Sequence, residues 1–71
     1  MLELLDQHIS KINKIINSCT TIEHIHTAKQ IVKNFVDYWK SKDLNIRTIR
    51  HYLQHFNTLI YFKSKLINYN E

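Results

Sequence analysis

The chain contains no glycine and no proline. Those two residues supply most tight turns and bulges, so a fold built from β-hairpins is not expected. Their absence also excludes phosphate-cradling glycine loops, dinucleotide fingerprints and the strained serine elbow of hydrolases, because each needs backbone that only glycine provides. Cysteine is nearly absent as well. Cys19 stands alone, so no internal disulfide can form, and a reducing, cytoplasmic setting is expected. Its position at a helix end reads as a small buried apolar residue rather than a reactive thiol. Long apolar runs are missing too. The longest, Leu59-Ile60-Tyr61-Phe62, is far too short to span a membrane. The opening Met1-Leu2-Glu3-Leu4-Leu5-Asp6 lacks the basic segment and apolar run of a signal peptide, so no targeting segment and no membrane partner are expected.

What is present points to helices. With 71 residues and 44% hydrophobic composition, the sequence reads as a single domain over residues 1–71, too apolar for a disordered tail. A first helix is predicted over residues 2–17, where Leu2, Leu5, Ile9, Ile12, Ile16 and Cys19 recur at spacings of three and four. Leu4 and Ile15 widen that stripe. Thr20 with Glu23 fits a capping box that opens a second helix over residues 21–40. Its stripe is Ile25, Ala28, Val32, Phe35 and Trp39, and Tyr38 and Trp39 are placed near the second turn. Asn45 suits an N-cap, and Leu44 and Ile49 occupy the positions of a hydrophobic staple. A third helix over residues 45–69 then carries two overlapping stripes. One is Ile46, Ile49, Leu53, Phe56, Ile60 and Ile67; the other is Tyr52, Leu59, Phe62, Leu66 and Tyr69.

Short turns make successive helices antiparallel neighbours, so the expected fold is an all-α, three-helix up-down-up bundle with the third helix longest. The first helix would be about 24 Å long and the third about 37 Å. On that arithmetic Phe62, Leu66, Ile67 and Tyr69 overhang the bundle and form an apolar partner interface. A core this small is marginal alone, which favours a homodimer or a second protein as partner.

Charge is unevenly placed. Residues 1–39 balance, with Lys11, Lys14, Lys29 and Lys33 against Glu3, Asp6, Glu23 and Asp37. Residues 40–65 hold Lys40, Lys42, Arg47, Arg50, Lys63 and Lys65 against Asp43 alone. A basic end suggests an anionic partner, with DNA first. On the third helix Arg47, Arg50, His51 and Gln54 point away from the apolar stripe, and Lys40 and Lys42 lie at the same end. Free amides and the helix dipole at that N-terminus would add to the cations in holding phosphate.

Catalysis and metal binding find little support. His51 and His55 share a helix face, but there is no His-Glu-x-x-His and no second cysteine, so the five histidines read as surface residues and no metal or cofactor is expected. The six carboxylates form no acid/base pair within one helix, and the serines lack a patterned histidine partner, so no catalytic residues are assigned.

Phe35-Val36-Asp37-Tyr38-Trp39, followed by Leu44-Asn45-Ile46-Arg47-Thr48-Ile49-Arg50-His51-Tyr52-Leu53 and then Phe56 and Phe62, resembles part of the core-binding domain of tyrosine recombinases (phage integrases). That family shows an aromatic-rich helix, a short turn and a Leu-Ser-x-x-Thr-Ile-Arg-x-Tyr pattern. Leu44, Thr48, Ile49, Arg50 and Tyr52 match, with Asn45 in place of the serine. The resemblance covers residues 35–62 and implies a SAM-like helical element that clamps DNA. None of the matched residues corresponds to the family's catalytic side chains, so no recombination activity is implied. The expected function is therefore a small non-enzymatic nucleic-acid-binding accessory or regulatory protein of a phage or mobile element. The alternative is a protein-interaction module, a dimeric adaptor or an inhibitor of a host enzyme, that uses the apolar face of the last helix.

Overall fold

The computed structural model describes the backbone of residues 2–70 and the side chains of residues 3–67. It contains helices α1 (Leu2–Asn17), α2 (Ile22–Ser41) and α3 (Ile46–Asn70), with no strand among the described residues. His8 in the middle of α1 meets Trp39 near the end of α2. Phe35 of α2 packs against Phe56 and Tyr52 of α3. Lys63, late in α3, lies close enough to Cys19 to influence its charge. These meetings define the up-down-up bundle. Its long dimension is 41 Å, set by the 25 residues of α3.

The core follows the predicted stripes. Trp39, Phe35, Phe56, Ile12, Ile16 and Ile49 are the largest fully buried side chains. Phe35 and Phe56 meet edge to face with centroids 5.3 Å apart, a geometry that contributes about 0.5–1.5 kcal/mol beyond area burial. Cys19 is buried at the end of the α1 stripe, and burial raises its thiol pKa while Lys63 pulls it partly back.

The α1–α2 turn differs from the expected capping box. Thr21, not Thr20, is the N-cap: it is extended (φ −133°, ψ 162°) and its hydroxyl accepts from the His24 amide at 3.2 Å. Burial of Ile25 and partial burial of Ile22 set the helix register, and that register puts His24 rather than Glu23 at the third helical position. Nδ1 of His24 then accepts the Thr20 backbone N–H at 3.1 Å, so an imidazole fills the place expected of a carboxylate.

The α2–α3 turn reverses the chain without glycine. Leu44 N–H donates to the Trp39 carbonyl and Asp43 N–H to the Lys40 carbonyl, both near 3.1 Å. This is a Schellman closure, and Asp43 takes its left-handed position with φ 60°. Asn45 then caps α3 through its side-chain oxygen, which accepts the Arg47 amide at 2.8 Å. Leu44 packs against the core and Ile49 is buried, as a hydrophobic staple requires.

Four details correct the sequence reading. Leu4 and Ile46 are exposed rather than part of the apolar face. Ile67 is only 7% exposed and belongs to the core, so it is not part of an overhanging interface. It lies two turns beyond Ile60 on the same face of α3 and joins the same core cluster as Cys19, at the end of the α1 stripe. The last correction concerns His8, which is half-buried instead of lying on the surface. Its Nδ1 accepts the Trp39 indole N–H at 3.1 Å, and its ring packs edge-on against Phe35 and Tyr38.

Candidate nucleic-acid interface

The outward face of α3 is built by the same periodicity that builds the core. Ile49, Phe56, Ile60 and Ile67 point inward. With about 3.6 residues per turn, the opposite side is then occupied by Arg47, Arg50, Gln54, Thr58, Tyr61 and Lys65. All six are exposed, as is His51 beside them. Arg50 and Gln54 share one shallow groove of about 420 Å³ with Leu53, Asn57, Thr58, Tyr61 and Phe62. His51 and Gln54 share an adjoining hollow with His55 and Thr58.

Four of the six residues expected to contact nucleic acid therefore stand on one surface: Arg47, Arg50, His51 and Gln54. Lys40 and Lys42 are exposed at the same end of the bundle, but Lys42 is drawn elsewhere. Its ammonium lies 5.6 Å from the centre of the Tyr38 ring on α2. The free amides expected at the start of α3 are partly used, since Asn45 already takes the Arg47 N–H. What this end offers an anion is therefore side-chain cations more than helix-terminal amides.

The expected partner interface is divided by the structure. Phe62 and Leu66 are each 59% exposed, whereas Ile67 is in the core. The Tyr69 side chain lies outside the described residues. Tyr61 was not marked by either apolar stripe, yet it is 52% exposed and joins the basic and aromatic halves of the face. Its ring meets Phe62 with centroids 5.6 Å apart, and the Lys65 ammonium sits 4.8 Å from its centroid. The signal available in the sequence was the helical spacing of Tyr61 from Arg47, Arg50 and Gln54.

Among the described residues no three His, Cys, Asp or Glu side chains come together as metal ligands, and no helix is long and apolar enough to cross a membrane. Comparison with protein families, with characterised proteins and with solved structures finds no match for this chain.

Proposed function

We propose that this is a small non-enzymatic nucleic-acid-binding accessory or regulatory protein, acting in a reducing cytoplasmic setting through the outward face of α3. One observation carries the reading. From Leu44 to Asn70 the sequence holds Arg47, Arg50, Lys63 and Lys65 and no carboxylate, and Arg47, Arg50, His51 and Gln54 are all exposed. Cations on such a face neutralise phosphates and release counterions, while Arg and Gln can also hydrogen-bond base edges. The likeness of residues 35–62 to a DNA-clamping domain points the same way.

Fluorescence anisotropy of labelled nucleic acid at low and moderate salt tests this. Binding should weaken steeply with salt, and Arg47→Ala with Arg50→Ala should reduce the salt slope by about two, about one for each lost phosphate contact. Absence of binding to duplex and single strand alike at low salt rejects the reading.

The exposure of Phe62 and Leu66 favours a second reading, a protein-interaction module that pairs with another chain or with itself. Leu66→Asp should then reduce the mass of the species seen by sedimentation. An unchanged mass rejects that surface.

A further inference from the structure

The face of α3 changes character along its length. Arg50, Gln54, Asn57 and Thr58 begin a groove that Tyr61 and Phe62 finish. Tyr61 and Phe62 are half or more exposed, and their rings stand at 70° to each other. Two exposed rings side by side make an apolar patch of the kind that binding surfaces present, and their flat faces suit a ligand with flat apolar faces of its own. The same ligand must be anionic, because the face carries Arg50 at one end and Lys65 over Tyr61 at the other, with no acid between Asp43 and Glu71.

Duplex DNA meets only half of this description. Its phosphates suit Arg47 and Arg50, but its base faces are hidden in the stack and offer the two rings nothing. A second copy of the chain meets the other half, because Phe62 could pack on Phe62, but pairing two α3 faces brings cations together with no carboxylate to offset them. A single strand of nucleic acid has both the phosphates and the open base faces.

We propose, on the basis of the nucleic-acid reading above, that the ligand of α3 is single-stranded nucleic acid, with Tyr61 and Phe62 as its base-stacking platform. Arg50 and Lys65 bracket the platform and hold the backbone. Gln54, Asn57 and Thr58 line the path between them. Arg50 and Tyr61 are three turns apart, about 16 Å, room for a short run of nucleotides. Stacking tolerates any base, so binding should show little sequence preference.

The test is anisotropy with labelled single strands of about 15 thymidines or uridines and a duplex of equal length. The single strands should bind more tightly than the duplex. Tyr61→Leu, which keeps the apolar bulk and removes the aromatic face, should weaken single-strand binding at least about fivefold, with the salt slope and duplex binding unchanged. Tyr61→Phe should bind as the parent does. If single strands bind and Tyr61→Leu and Phe62→Leu both leave that affinity unchanged, the platform is wrong. If the duplex binds as tightly as or more tightly than the single strands, the single-strand assignment fails while the nucleic-acid reading survives. If neither ligand binds at low salt, both fall. The thymidine and uridine arms separate DNA from RNA as the better ligand.

Discussion

Trp39, near the end of α2, donates its indole N–H to Nδ1 of His8, in the middle of α1, across 3.1 Å of space and 31 residues of chain. The bond ties the first helix to the second at the end of the bundle where the chain also turns into α3. It fixes the His8 proton on Nε2, because the acceptor nitrogen must be bare. Burial, helped by the nearby Lys11 charge, lowers the His8 pKa below its ordinary value of 6.5.

A pH dependence follows, and its sign can be worked out. The unfolded chain takes up a proton on His8 as pH falls through 6.5, whereas the folded chain resists until a lower pH. Stability from this group is complete above 6.5 and declines as pH falls toward the folded value. Thermal melts followed by Trp39 fluorescence should show Tm falling as the solution is acidified through that window. His8→Gln, whose side-chain oxygen can still accept the indole N–H, should lose this share of the decline. Parallel Tm–pH curves for the two proteins would refute the assignment. His8→Ala at neutral pH should cost about 1–3 kcal/mol, because the Trp39 N–H loses its partner.

Asp43 occupies the left-handed position that most helices give to glycine. An L-residue there pays about 1–2 kcal/mol against the right-handed region, with aspartate at the lower end. Asp43→Gly should therefore stabilise the fold by about 0.5–1 kcal/mol, less a share for the freer unfolded chain. Asp43→Val should destabilise it, since a β-branched side chain suits that conformation worst. Urea unfolding midpoints decide this, and a Gly variant less stable than the parent would contradict the turn geometry.

The start of α2 separates two caps that differ by one residue. With Thr21 as the N-cap, Thr21→Ala should cost about 0.5–2 kcal/mol. Glu23→Ala removes the side-chain acceptor but no cap bond seen in the structure, and should change stability by less than about 0.5 kcal/mol. A larger loss from Glu23→Ala than from Thr21→Ala would restore the capping box that begins at Thr20.

Two phenylalanines on different faces should behave differently. Phe35 is fully buried at the crossing of α2 and α3, and Phe35→Ala should cost about 3–5 kcal/mol, enough to unfold much of so small a protein. Phe62→Leu on the open face should shift the urea midpoint by less than about 0.5 kcal/mol. A large loss of stability in Phe62→Leu would mean that the ring serves the fold instead of a ligand.

Much of the candidate site can be read in the sequence. Arg47, Arg50, His51 and Gln54 fall on one side of α3 by spacing alone, and their exposure agrees. Tyr61 is harder to read, because its aromatic type suggests the core while its angle around the helix puts it among the polar residues. The burial of Ile67 is not legible for a related reason. Helix lengths alone suggested an overhang, but the depth of the bundle at the end of α3 depends on where the α1–α2 turn comes to rest.

Three helices, their inward stripes and the Asn45 cap are all legible in the order of residues. These depend on periodicity and on neighbours within about four residues, which any helical segment displays in its own order. Helix packing alone settles that His8 accepts the Trp39 indole N–H and that Ile46 and Leu4 face water while Ile67 does not. Those outcomes depend on which helix lies across which, and at what height. That relation is set by the packing of Phe35, Phe56 and Trp39 between all three helices, and no local pattern records it.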